Sequence, residues 1–216
     1  MNGKTHQLVG VTGGLMASAL MIHTGTYNVV ECLSLLALSS VGSYIPDIDH
    51  TGSVAGKRIA LVSYPIRWIS RIFSWLYRKT KFKLFDKISE MFAHRGIFHS
   101  PIFWAIVFIP LFMFVPPLVT HSFARGLVEA GSVGLAMGVI LHMLADMLNP
   151  TGIPLFMPLF NHKFSIGKIV TGSKSEFVFK VIMLLVFILA CGLACLSLIN
   201  LDLTTVGDLF SVNMGG

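Results

Sequence analysis

Charge is what this 216-residue chain has least of. Asp, Glu, Lys and Arg make up 12% of it and apolar residues 54%, whereas an average soluble domain is about 25% charged. So apolar a composition excludes a disordered chain and argues against an ordinary soluble enzyme. Together with a mean hydropathy of +0.78, it identifies an integral membrane protein. Cysteine is also scarce. Cys32, Cys191 and Cys195 all sit in apolar stretches with no CxxC, so neither a disulfide framework nor a thiolate metal site is supported. Cys191 and Cys195, four apart, share a helix face and read as small packing residues of a membrane helix. There is no GxSxG, no Walker motif and no cysteine among the polar clusters, which leaves thiol nucleophile chemistry unsupported. Internal repeats and low-complexity tracts are absent as well.

Five apolar segments are present, at residues 7–22, 29–45, 101–119, 127–148 and 177–201. A spanning helix needs roughly 17–25 residues. The last three meet this length. The first two are short and rich in Gly and Ser, and read as tilted, bundle-buried or re-entrant. A signal peptide is the competing reading of the first, but Lys4 alone precedes the run, and Gly10, Gly13 and Gly14 dilute it. Gly10 with Gly14, and Gly134 with Gly138, have the spacing that lets helices approach closely in lipid. Pro110 predicts a kink in the third segment, and Pro116 and Pro117 its end. Residues 149–152 form a turn, a short hairpin is expected within 160–170, and the tail from 202 reads as polar and irregular.

Positive charge is concentrated. Of 16 Lys and Arg residues, 10 fall within 57–95, and the formal net charge is +6. Between 56 and 92, Tyr64, Trp68, Ile69, Ile72, Trp75 and Leu76 recur at spacings of three and four, with Arg67, Arg71, Arg78 and Lys79 largely between them. That is the pattern of a basic amphipathic helix in the membrane interface, and a helix packed on another protein surface is the alternative. Nucleic-acid binding is a rival reading of any basic patch. The flanking spans place this one at a membrane surface instead, so membrane lipids are the expected partner and nucleic acid is not.

Ionisable groups in so apolar a chain need a reason, and here they cluster. Asp47, Asp49 and His50 end the second segment. Two carboxylates and an imidazole suit zinc or manganese, although capping aspartates at a helix end explain the same residues. His94 and His99 precede the third segment. Five apart, they do not share a regular helix face, but Gly96 permits a turn that joins them, and Arg95 between them suits a phosphate. His142 and Asp146, four apart late in the fourth segment, share one helix face. They form either a metal pair or a buried hydrogen bond. His6 and Glu176 each open an apolar run, where a helix-end role competes.

Crossing the membrane five times puts all these clusters on one side, and positive charge marks that side as cytoplasmic. The N-terminus would lie inside and the C-terminus outside. His23 and His121 fall on the opposite side, and His162 lies in a loop without a partner. So many histidines and carboxylates exceed one structural zinc and suggest two or three divalent ions, a kind of centre that acts on phosphoesters. In that scheme Asp49 or Asp47 accepts a proton and Arg95 offsets developing charge.

The motifs THQLVG, PDIDH, HRGIFHS and HMLADMLNPTGIPLFMP, in this order over residues 5–180, resemble those of the LexA-regulated inner-membrane metal-dependent hydrolases of bacteria, a family distantly similar to zinc-dependent phospholipase C. The resemblance implies a bacterial inner-membrane hydrolase whose ligands match His6, Asp47, Asp49, His50, His94, His99, His142, Asp146 and Glu176, with Zn2+ the expected metal. The stretch between PDIDH and HRG is longer and more basic than the family pattern. The expected architecture is therefore all-α. It comprises about five transmembrane or membrane-buried helices in one domain over 1–201, a basic interfacial helix within 57–92, and a tail at 202–216. Metal-dependent hydrolysis of a phosphoester, such as that of a lipid headgroup, is the expected function. A metal transporter or sensor and a non-enzymatic docking protein are the alternatives.

Overall fold

The computed structural model describes residues 1–50, 53, 56–57 and 60–213, the side chains of 60, 62 and 200–213 excepted. Arg58 and residues 214–216 lie outside the described residues. Helix α1 (Gly3–His23) is capped by the Asn2 side chain, and α2 (Val29–Gly42) by a capping box of Asn28 and Glu31. A short 3-10 turn, Ile45–Asp49, follows α2. Next come α3 (Ala60–Thr80), α4 (Lys83–Met91) and a second 3-10 turn, Ile97–His99. Helices α5 (Pro101–Leu118), α6 (Ser122–Met147) and α7 (Lys174–Asn213) complete the chain.

Five segments among the described residues are long and apolar enough to cross a membrane: Gly3–His23, Val29–Asp49, Pro101–Leu118, Ser122–Met147 and Lys174–Ile199. The first two are 21 residues each, longer than their apolar runs suggested, because polar residues such as Thr5, His6, Asp47 and Asp49 lie inside the helical segments. The bundle buries its ionisable groups and exposes large apolar side chains. Ile106 and Met113 on α5 and Leu185 and Leu189 on α7 are exposed, while His6, His99, His142, Asp49, Asp146 and Glu176 are buried. This inversion suits a lipid solvent, in which ionisable groups turn to the bundle interior.

Helix α2 lies between α1 and α6, and small residues set how closely it sits. A Cβ on Gly10 would come 2.4 Å from the Ser43 Cβ, and one on Gly14 2.8 Å from the Ser39 Cβ. On the other side, Cβ atoms on Gly134 and Gly138 would each come 2.1 Å from a backbone oxygen, of Leu35 and Ser39 respectively. Both glycine pairs seen in the sequence thus pack against one helix. The turn carrying Asp47 and Asp49 is fixed to the end of that helix. Trp104 and Phe108 of α5 join Val139 and Met143 of α6 in an apolar core, and the Trp104 indole donates to the Phe98 carbonyl at 2.7 Å. That bond ties α5 to the turn bearing His99.

Three expectations change. The basic segment forms two helices, not one. Lys81 takes a left-handed φ of 56° after α3, and α4 returns antiparallel, with Phe73 and Phe85 rings 5.8 Å apart and Ser70 donating to the Ser89 carbonyl. Neither Gly nor Pro announces this reversal. The hairpin expected within 160–170 is absent. A single antiparallel bridge joins Ile153 to Phe164, and the amides of Ile166 and Ile169 donate to the Met147 and Leu148 carbonyls. The segment is used to satisfy the free carbonyls at the end of α6. Finally, α7 continues as helix through Asn213, where an irregular tail was expected. Helix α5 runs through Pro110 and ends one residue after Pro117.

Candidate metal centre

Four parts of the chain supply the centre. The first turns of α1 bring His6, the turn after α2 brings Asp47 and Asp49, the turn before α5 brings His94 and His99, and the last turns of α6 bring His142 and Asp146. Their ligand atoms form three groups that can hold a metal ion, the members of each lying within 4.8 Å of one another: His6, Asp47 and His142; His99, His142 and Asp146; and Asp47, Asp49 and His94. Shared members make this one continuous centre.

Asp146 lies at its middle. Its Oδ1 is 2.9 Å from Arg95 Nη2, 3.3 Å from His6 Nε2 and 3.1 Å from the Met1 amine, and its Oδ2 is 3.4 Å from His99 Nε2. Asp47 Oδ1 is 3.6 Å from His99 Nε2 and 3.7 Å from His142 Nε2. The His6 and His142 rings stack at 3.8 Å. His142 Nδ1 donates to the Ser43 carbonyl at 2.7 Å, which fixes the tautomer and presents a bare Nε2 to the centre, the usual outer support of a metal-bound histidine. His94 Nδ1 donates to Asp49 at 3.0 Å, and the Arg95 amide donates to its other oxygen at 3.1 Å.

The donor set fits divalent ions. His99 Nε2, His142 Nε2 and Asp146 Oδ2 are buried and lack a hydrogen-bond partner among the described residues. Buried polar atoms are nearly always satisfied, and leaving them bare costs roughly 1–3 kcal/mol each. All three belong to the same candidate group. Imidazole and carboxylate ligands without thiolate suit zinc or manganese. Burial disfavours charge on His99, but Asp146, Asp47 and Asp49 outweigh it and hold its pKa well above the ordinary histidine value. A cation in the site would take over the role of that proton. His50 shifts the other way, pushed down by partial burial and by His94.

The two histidines of the HRGIFHS motif do meet, with ring centroids 5.7 Å apart. The left-handed residue of their turn is Arg95, φ 59°, rather than Gly96. Gly96 serves close approach, because a Cβ there would lie 2.2 Å from the Met91 carbonyl oxygen. Left-handed backbone at a non-glycine residue costs about 1–3 kcal/mol. Arg95 is held there by its amide on Asp49 and its guanidinium on Asp146 and Thr151. A 250 Å³ cavity opens onto the centre, lined by Asp47, His50, Ser53, His94, Arg95 and Asp146, with Met1, Asn2 and Gly3.

Two expected ligands stand apart. His50 belongs to none of the three groups. Its ring lies 4.7 Å from that of His94, at the cavity wall. Glu176 belongs to none either, because its oxygens are engaged elsewhere: Oε1 accepts from the Asn2 amide at 2.7 Å and the Thr5 hydroxyl at 2.8 Å, and Oε2 from the Gly172 amide at 2.7 Å. It anchors the start of α1, and with it His6. His23 and His121 are exposed at the far ends of α1 and α6, and exposed His162 packs edge-on against Phe164.

The chain also has relatives. The profile of the YdjM inner membrane protein family matches residues 1–206. The chain belongs to the YdjM inner membrane protein family. It is 27% identical over 158 residues to the uncharacterized protein YvsG of Bacillus subtilis (strain 168), covering 73% of this chain and 74% of that protein. It is 30% identical over 115 residues to the inner membrane protein YdjM of Escherichia coli (strain K12), covering 53% of this chain and 44% of that protein, and equally to YdjM of Shigella flexneri. The chain thus spans less than half the length of those two YdjM proteins. No solved structure matches it. Family membership and the apolar helices establish a multi-pass inner membrane protein. The names of these relatives state no activity.

Sequence reasoning missed several supports. Asn149 accepts from both the amide and the hydroxyl of Thr151, which in turn meets Arg95. Their signal was the DMLNPTG continuation of the His142–Asp146 cluster, read only as a turn. The Ser43 carbonyl left no signal, being a backbone group placed by helix packing.

Proposed function

We propose that this centre is a metal-dependent hydrolytic site acting on a phosphoester at the cytoplasmic edge of the inner membrane. The observation that carries the reading is the convergence of three bare, buried ligand atoms, His99 Nε2, His142 Nε2 and Asp146 Oδ2, beside an open cavity. Seven His and Asp side chains in three overlapping groups suit two or three ions, with zinc favoured by the imidazole share. When bound, such ions supply Lewis-acid catalysis and an activated water. Asp49 is occupied in orienting His94 and Arg95. Asp47 lines the cavity, and its carboxylate makes no close hydrogen bond among the described residues, so it is the better proton acceptor. Arg95 at the cavity wall binds the phosphoryl oxygens and offsets their charge.

Purified protein is expected to hold more than one equivalent of zinc or manganese by elemental mass spectrometry, and to hydrolyse a soluble phosphodiester until a chelator is added. Less than one equivalent after gentle purification, with no hydrolysis on adding metal back, would leave a non-enzymatic docking role.

The cytoplasmic placement rests on charge. The loops opposite the centre, residues 24–28 and 119–121, contain no Lys or Arg, while the centre's side carries Lys4, the basic segment, Lys163 and Lys168. Basic loops stay in the cytoplasm. A cysteine at Thr26 (Thr26→Cys) should react with an impermeant maleimide in spheroplasts, and one at Lys81 (Lys81→Cys) only after permeabilisation. The reverse pattern would invert the topology.

A further inference from the structure

The α3–α4 hairpin contributes no ligand to the centre, yet it carries the largest concentration of charge in the chain. Residues 60–91 hold seven basic and two acidic residues. Its inner side is used: Ile66 and Ser63 are buried, and Ser70, Phe73 and Ser74 meet α4. Its outer side is not. Leu61, Tyr64, Trp68, Ile72 and Trp75 are exposed at spacings of three, four, four and three, which places them on one face of a 3.6-residue helix. Trp68 alone is 64% exposed. Shallow apolar hollows of 420 and 200 Å³ run along this face, one between Tyr64, Pro65 and Ile69, the next beside Arg71 and Trp75.

Three of the four basic residues of α3 keep to one side of this stripe, and Lys79 follows at the C-terminal end of the helix. Arg67, Arg71 and Arg78, four and seven apart, follow a single edge of the stripe. Indole and phenol rings bordered by one row of guanidiniums match the depth profile of a leaflet, with acyl chains below and phosphates beside them. The hairpin is also held at the right place. Its two ends leave from the turns after α2 and before α5, both at the same end of the membrane spans.

We propose that the outer face of α3 is a lipid-binding surface that seats in the leaflet on the metal centre's side, with its arginine edge on anionic headgroup phosphates. A protein partner needs no such match of Trp, Tyr and arginine to headgroup depth. The inference does not depend on the hydrolytic reading.

The test uses the full chain in nanodiscs of phosphatidylglycerol or of phosphatidylcholine, read by tryptophan fluorescence. Trp68→Phe/Trp75→Phe protein supplies the background from Trp104, which is buried. Lipid brominated near the top of its acyl chains is expected to quench the signal of Trp68 and Trp75, and aqueous iodide to leave it unchanged. In the Arg71→Gln/Arg78→Gln variant, the excess quenching in phosphatidylglycerol over phosphatidylcholine should be lost. Quenching by iodide and not by bromolipid would overturn the proposal, since the face would then be open to water and free for a protein. Equal bromolipid quenching in both lipids before substitution would overturn the anionic preference. If the double Trp variant fails to fold, the ratio of iodide to bromolipid quenching in the unsubstituted chain decides the same question.

Discussion

The two ends of the helical bundle draw on the same residue types and use them differently. The far end has His23, His121, Glu31, Glu129, Arg125 and Tyr27, and a 420 Å³ cavity lined by Tyr27, Arg125 and Glu129 among others. There the polar groups serve the backbone. Glu31 completes the capping box of α2, Arg125 Nε donates to the Val119 carbonyl at 3.0 Å, and both histidines are exposed. Burial, with Glu129 and Glu31 nearby, pushes the Tyr27 phenol up. At the near end, 3-10 turns interrupt the chain just outside α2 and α5, and aim Asp47, Asp49 and His99 inward, where α6 already presents His142 and Asp146. Among the described residues, candidate metal groups occur only there. A histidine beside a membrane span therefore means little alone. What matters is whether the backbone leaves the helix in a way that turns the side chain towards others.

The comparison breaks most sharply at the ligands. His142→Ala and Asp146→Ala should each lose most bound metal, while His23→Ala and His121→Ala keep it, as read by elemental analysis of the purified variants. Asp146→Ala should also lower stability by about 3–5 kcal/mol, since it leaves the partly buried Arg95 without its carboxylate. Equal metal in all four variants would show that the two ends do not differ.

A smaller effect is expected from packing. Gly138→Leu must push α2 from α6, because even a Cβ meets the Ser39 carbonyl oxygen at 2.1 Å. We expect about 1–3 kcal/mol of destabilisation by thermal melting, together with loss of metal though every ligand remains. Gly192→Ala, where a Cβ meets nothing within 4 Å, should be neutral within about 0.5 kcal/mol. The last effect concerns the hairpin and leaves the centre itself untouched. Arg71→Gln/Arg78→Gln should weaken attachment to anionic lipid by about 2 kcal/mol in low salt and less as salt screens it. Metal content and hydrolysis of a soluble phosphodiester should stay constant, while hydrolysis of an anionic phospholipid falls. A parallel fall in both activities would make the hairpin a support of the centre itself.

Much of this was legible in the chain. Apolar runs located the five spans, and the i, i+4 spacing of His142 and Asp146 placed both on one face, because a helix repeats its geometry locally. The glycine pairs marked the close helix contacts, though not that both grip α2. The meeting of His94 with Asp49 depends on two separate turns, which no local pattern encodes. The partners of Glu176 were hidden for a related reason. A buried carboxylate facing backbone amides from Asn2 and Gly172 has the same sequence signature as one facing a metal. The reversal at Lys81 was hidden because a left-handed lysine carries no compositional mark.

The contact between His94 and Asp49 has a consequence in polymer terms. It closes a 45-residue excursion of the chain with a 3.0 Å hydrogen bond, and the hairpin is the content of that loop. Closing a loop costs chain entropy that grows only logarithmically, about 0.6 kcal/mol for each doubling of length. The ligand-bearing turns join α2 and α5, and α3 packs on the first of them. Length and charge added at the far tip of the excursion, around Lys81, would therefore cost the centre little in chain entropy, whereas changes where α3 meets that turn would reach the ligands.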